Sequence, residues 1–380
     1  MAIGSGISAQ IGWAIETTAG TIVTPTVFNP LVSESLSIER ARLESAGIIA
    51  GKRVMTSDQW NGGNITAGGD VGLELYNKNL HELFRGIMGA TSGSGPYTLT
   101  PGDLSDDVLT VQVGLPGVGG TVHPKTLGGC AVASWEIAGT AGEIVTLGAT
   151  LAAMNGHIGS RTAADGTTTN TSTTVTSAAN AAFTQGDVGK PISGTGIPAG
   201  AYITAVASAT SCTISAAATA SATVTITIGT ALASASYASS QKPVKFYQGA
   251  LSLFGATSNV NVKSFTITGD NALADDRYFM GSRSRALPIE AGLREYTGTA
   301  ELEFYDTTQW DRYAAGTEGA LSLTFSIPGT SDYVTIAGNT RYDMETPTVG
   351  DRSILSQNVG FKLIGSSTDA SALTITLSAA

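Results

Sequence analysis

The chain has 380 residues, a formal net charge of −10 and only 13% charged side chains. That length exceeds one ordinary core and predicts two or three domains, while the acidic balance excludes nucleic-acid binding by phosphate neutralisation, which needs clustered Lys and Arg. No stretch reaches the ~18 apolar residues of a membrane span, and Met1–Gln10 lacks the basic and apolar regions of a secretion signal.

In chain order, residues 1 to about 30 look irregular, with Trp13, Pro25 and Pro30, and read as an extended arm that needs a surface to lie on. Residues 31–39 alternate as a strand. From Arg40 to Gly69 no period is sustained, so this segment, with Lys52, Arg53 and Trp60, reads as a long loop of the kind that is usually functional. Val71–Tyr76 then alternates as a half-buried strand. Tyr76, Leu80, Leu83, Phe84 and Ile87 follow at three- and four-residue spacing, which predicts an amphipathic helix packed on the sheet. Asn79 with Glu82 is the expected capping pair, and Gly89 the expected left-handed stop. Further strands are predicted around Leu109–Val113, Ala131–Ala138 and Glu143–Thr150.

The texture changes at Ile158. Between there and Ser240 only four residues are charged, Arg161, Asp165, Asp187 and Lys190, and they sum to zero. Ala, Thr and Ser dominate, with strands expected at Thr173–Ser177, Ala201–Val206, Cys212–Ser215 and Thr223–Ile228. Residues 158–240 therefore read as a small inserted β-domain, with a disordered linker as the competing reading.

The flanking halves, 1–157 and 241–380, repeat each other. Leu73-Glu-Leu-Tyr76 reappears as Leu302-Glu-Phe-Tyr305, an offset of 305 − 76 = 229, and Ser35-Leu-Ser-Ile38 matches Ser264-Phe-Thr-Ile267 at that same offset. Between them Gly51-Lys-Arg53 matches Gly281-Ser-Arg283, with Arg285 just beyond. After Tyr305, Asp306 with Gln309 caps an expected helix carrying Trp310 and Tyr313 and ending at Gly316. Matches kept in order at nearly constant spacing predict a duplicated domain, mainly β, each copy with one helix, with Tyr305 and Trp310 packing the second helix on its sheet.

Catalytic constellations are scarce. His81, His123 and His157 share no metal-ligand spacing, Gly189-Lys190 lacks the upstream glycine of a phosphate loop, and Asp103, Asp106 and Asp107 cluster on a turn. Cys130 and Cys212 sit far apart in unlike contexts, so neither a disulfide framework nor a zinc site is expected. The expectation is a soluble, non-enzymatic protein without cofactors, made inside a reducing cell.

Gln59-Trp-Asn-Gly-Gly-Asn, Gly-Asp-Val-Gly-Leu-Glu-Leu-Tyr-Asn and the following helix resemble the major tail tube proteins of long-tailed bacteriophages. The resemblance covers both halves and implies a β-sandwich or barrel with a flanking helix in each. It also implies a virion location, assembly in the host cytoplasm, and self-association into stacked rings around a DNA-conducting lumen. Tape-measure and terminator or tip proteins are its implied neighbours, with DNA present only in transit and no membrane contact. The family's long loop reaches other subunits, a role that falls here on Lys52, Arg53 and Trp60, and on Arg283 and Arg285. Two copies per chain imply a homotrimeric, pseudo-hexameric ring. An acidic lumen wall, and an insertion on the outer face that assembly does not need, complete the expectation. A tail-tip or hub protein of this fold, and a secreted adhesin or carbohydrate-binding module, remain open alternatives.

Overall fold

The computed structural model describes residues 4–255, 261–344, 346, 347, 349 and 354–379. The first half contains β1 (Gln10–Ile15), β2 (Val27–Asn29), β3 (Ser33–Glu34), β4 (Ser37–Glu44), β5 (Trp60–Glu74), α1 (His81–Met88), β6 (Gly89–Ser92), β7 (Tyr97–Pro101), β8 (Leu109–Pro116), β9 (Val122–Thr140), β10 (Thr146–Ala153) and β11 (Asn155–Ile158). The insertion supplies β12 (Arg161–Thr168), β13 (Thr174–Ser177), β14 (Ile192–Ser193), β15 (Ile203–Ser208), β16 (Ser211–Ile214) and β17 (Ala222–Ile228). The second half has β18 (Gly249–Leu253), β19 (Val262–Asp270), β20 (Leu273–Ala274), β21 (Ile289–Glu290), β22 (Glu295–Glu303), α2 (Thr308–Ala314), β23 (Gly319–Ser326), β24 (Tyr333–Tyr342), β25 (Ser356–Leu363) and β26 (Thr374–Leu377).

The two halves share one strand order, all antiparallel. In the first it is β4-β5-β10-β9-β8-β1; in the second, β19-β22-β25-β24-β23-β18. Register agrees as well. Glu74 faces Thr146 and Ala67 faces Ala153 in one half, as Glu303 faces Ser356 and Tyr296 faces Leu363 in the other. One sequence match slips: Ser37 lies opposite Gly68 and Thr268 opposite Thr297, so β4 and β19 correspond at an offset of 231, two more than the sequence repeat. A slip of two leaves every side chain on its own face, because strand period is two. Each sheet curls around apolar side chains. Phe325 of β23 lies 5.8 Å from Phe265 of β19, centroid to centroid, and both are buried.

Several local expectations are corrected. The N-terminal arm is an integral strand: β1 pairs with both β8 and β2, and Trp13 is 1% exposed. Arg40–Gly69 is mostly a hairpin, β4 and β5, with only 45–59 as loop. Its Gly-rich arm has few side chains to show a period, and cross-strand backbone pairing holds it. Strands β5 and β22 stop at Glu74 and Glu303, before the tyrosines. Asn79 does not cap α1; its φ of 63° is left-handed and its amide donates to Phe28 O at 3.0 Å. Gly89 ends that helix with a φ of 87°. In α2, Asp306 accepts from Thr308 N at 2.9 Å, and Gly316 follows at a φ of 62°.

The insertion is ordered, against the linker reading. Its six strands form a separate sheet, β14-β17-β12-β13-β16-β15, around a core that includes Val175, Phe183, Ile203, Cys212, Ile226 and Ile228. All four of its charges are used internally. Asp187 meets Arg161 at 2.6 Å and Lys190 at 3.1 Å, while Asp165 accepts from Ser177 Oγ at 2.6 Å and Ala179 N at 2.8 Å. Burial alone would raise the Asp187 carboxyl, but these partners outweigh it and hold it well below the usual range.

From β17 the chain returns along the first half. Thr230 N donates to His157 Nε2 at 2.9 Å, and Ala233 N to Gln112 Oε1 at 2.8 Å. His157 is 3% exposed; burial first, then Lys190 and Arg40, lowers its pKa from 6.5 to about 4. As an acceptor it must be neutral. The unfolded chain therefore takes up this proton first, so the site's stabilisation is complete above pH 6.5 and is lost as pH falls towards about 4. Thermal unfolding of wild type minus His157→Gln, followed from pH 7 to 4.5, should show the wild type losing on the order of 3 kcal/mol more. Parallel curves would refute this.

Candidate assembly surface

The two halves are joined by strands. β19 pairs along one edge with β22 and along the other with β9 of the first half, from Ser264 opposite Thr140 to Asp270 opposite Ser134. One continuous sheet therefore runs β4-β5-β10-β9-β19-β22-β25 across the chain. Directly opposed residues share a face, so the pairings trace a single outward surface. Gly148 lies opposite Glu136, Glu136 opposite Thr268, and Asp270 opposite Glu295. Thr150 faces Asp70 and Thr146 faces Glu74; Glu301 faces Asn358 and Glu303 faces Ser356; Glu39 faces Thr66.

Eight carboxylates thus share this face: Glu39, Asp70, Glu74, Glu136, Asp270, Glu295, Glu301 and Glu303. Cations offset them in part, with Arg341 of β24, opposite Lys362, adding to the two that follow. Lys362 pairs with Glu295, and Lys263 lies 3.9 Å from Glu301. Asp270 and Glu295 are directly opposed, a like-charge arrangement that sheet energetics disfavours. The sequence carries a signal for this face. Each carboxylate sits at an outward position of an alternating strand, and the face emerges once the strands are put in register.

The residues expected at subunit contacts separate. Lys52 and Arg53 are exposed in the 45–59 loop and make no ion pair among the described residues. Trp60 is 51% exposed, and the Arg42 guanidinium lies 5.1 Å from its ring centroid. Arg283 reaches back to the first half, donating Nε to Gly63 O at 2.7 Å, while Ile65 N donates to Arg283 O at 2.8 Å. Arg285 is a correction. It is 4% exposed and its Nη2 donates to Ala67 O at 2.7 Å and Ala153 O at 2.8 Å, so it locks the two halves together and is not open to another molecule. Accepting carbonyls at the last pair of the β5–β10 ladder hold it inward.

The helix residues divide likewise. Tyr76, Leu80, Phe84 and Ile87 are each at most 6% exposed, in the main core. Tyr305 is 76% exposed and does not pack α2 on the sheet. Trp310 is half-buried, its ring centroid 5.3 Å from that of Tyr313. β22 has already ended at Glu303, which leaves Tyr305 in the link to the helix.

No helix among the described residues is long and apolar enough to cross a membrane, and no His, Cys, Asp and Glu group among them could hold a metal. What the fold presents is a duplicated β-rich scaffold with an acidic face and projecting loops, the features of a structural protein. A model of the phage tail tube protein family matches residues 6–197 and 190–363, once for each half and running into the insertion from both sides. The chain belongs to the phage tail tube protein family and is a structural component of the virion tail. No curated protein matches it. Membership implies self-assembly into a tube and contact with other tail components.

Proposed function

We propose that three copies of this chain close into a ring with pseudo-sixfold symmetry, that rings stack into the tail tube, and that the acidic face lines the lumen through which DNA passes. The join between β9 and β19 carries the reading. β4 is the counterpart of β19, yet among the described residues only its β5 edge is paired. Pairing that free edge with the second half of another copy repeats the join already made within the chain and continues the sheet. Six halves come from three chains, and fusion makes every second join intramolecular, which lowers the association cost of closure.

The insertion falls on the outside in this arrangement. Val188 O accepts from Arg40 Nη2 at 3.2 Å, and Arg40 lies opposite Ile65, on the face of the hairpin away from Glu39 and Thr66. Replacing residues 161–228 by a short linker should leave tubes intact, as seen in negative stain. A deletion protein that folds but forms no tubes would place the insertion in the wall. The ring itself is tested by end-on averaging and mass measurement: three chains per ring are expected, and six would refute the trimer.

A further inference from the structure

The contact between the Arg283 loop and the first half has an empty counterpart. In the first half, Gly63, Ile65 and Ala67 of β5, with Ala153 of β10, receive Arg283 and Arg285 from the second half. Ala67 and Ala153 form the last pair of their ladder, as Tyr296 and Leu363 do in the second half. At the β5–β22 offset of 229, Gly63, Ile65 and Ala67 become Gly292, Arg294 and Tyr296. Those three residues and Leu363 line an open groove of about 860 Å³. Among the described residues no loop fills it.

The geometry points to the 46–56 loop of a second copy as the occupant, with Arg53 taking the place of Arg283 and Met55 that of Arg285. This rests on the ring proposed above and assigns the contact that closes it. The loop is the repeat counterpart of the one already docked, since Gly51-Lys-Arg53 matches Gly281-Ser-Arg283. Its side chains are uncovered: Ile48 is 97% exposed, Val54 80% and Met55 46%. So is Leu293 at the groove, at 96%. The change from Arg285 to Met55 suits the change of site. Arg285 answers two carbonyls in the first half, whereas the groove carries exposed Leu293 and Ile289, apolar surface to which a thioether adapts. Exposed Asp103 and Asp369 on the groove complement Lys52 and Arg53. Arg53 then donates to Gly292 O of the other copy as Arg283 does to Gly63 O.

A chain carrying Val54→Cys with Leu293→Cys tests this under mild oxidation, since both positions are exposed and the native Cys130 and Cys212 are buried. Non-reducing gels should show covalent dimers and trimers, with a ladder that stops at three. Each single-cysteine variant should run as monomer. Met55→Asp should raise the concentration needed for ring formation about tenfold while circular dichroism stays unchanged. Rings or tubes that form normally from the double variant, yet yield only monomer bands, would overturn the groove assignment and leave the ring standing. A ladder continuing past three would overturn it in favour of a contact between rings. Wild-type protein that sediments only as monomer would instead refute the ring.

Discussion

Tubes assembled from a chain carrying Asp70→Lys, Glu136→Lys, Asp270→Lys and Glu295→Lys are expected to retain duplex DNA that wild-type tubes release. Each substitution moves the formal charge by two units, taking the chain from −10 to −2 and reversing the sign of the sheet face on which all four residues sit. If this face lines the lumen as proposed, its carboxylates repel phosphates and DNA slides past without a bound state. Lysines there would release counterions on contact, and the affinity should fall by about a thousandfold between about 50 and 200 mM salt. Nuclease protection locates the effect, because DNA held inside a tube is shielded and DNA on the exterior is cut. Equal retention by wild type and variant, or retention without protection, would remove this face from the lumen.

The second large effect concerns the helices. Phe84→Ala should destabilise the fold by about 3–5 kcal/mol, because Phe84 is 0% exposed and α1 also buries Leu83, Ile87 and Met88 around it. Trp310→Ala, a larger truncation, should cost about 1 kcal/mol or less, since α2 buries none of its residues. β6 and β7, which follow α1 directly, have no counterpart after α2, where the chain passes straight into β23. Chemical denaturation of the two variants measures the contrast. Comparable losses would mean that the halves bear load equally.

Much of this architecture was legible in the sequence where side chains carried the pattern. Val71 and Leu73 announced the end of β5, Leu80, Phe84 and Ile87 announced α1, and the repeated Leu-Glu-x-Tyr announced the second half. The change of texture at Ile158 announced a unit with its own core. Where the backbone carries the structure, the sequence is quiet. Trp60-Asn-Gly-Gly-Asn reads as loop because its residues display little alternation, yet its backbone pairs with β4 as far as Glu44. Asn79 has the chemistry of a cap but takes a left-handed conformation to bond Phe28 O. Arg283 and Arg285 look interchangeable in sequence; only carbonyls from two distant strands bury one and leave the other exposed. The acidic face needed strand order as well as strand existence, and seven neighbouring strands are beyond what local periodicity records.

The closed charge network of the insertion has a physical consequence for the particle. Arg161, Lys190, Asp187 and Asp165 satisfy one another and the insertion's own backbone and hydroxyl groups, so this unit projects almost no field beyond its surface. What it shows its surroundings is a skin of hydroxyls and methyls, felt only at touching distance and nearly indifferent to ionic strength. The carboxylate face behaves in the opposite way, with a reach set by the Debye length of about 8 Å at physiological salt. In the arrangement proposed above, salt would therefore tune how the particle handles its cargo while leaving its dealings with other particles almost untouched.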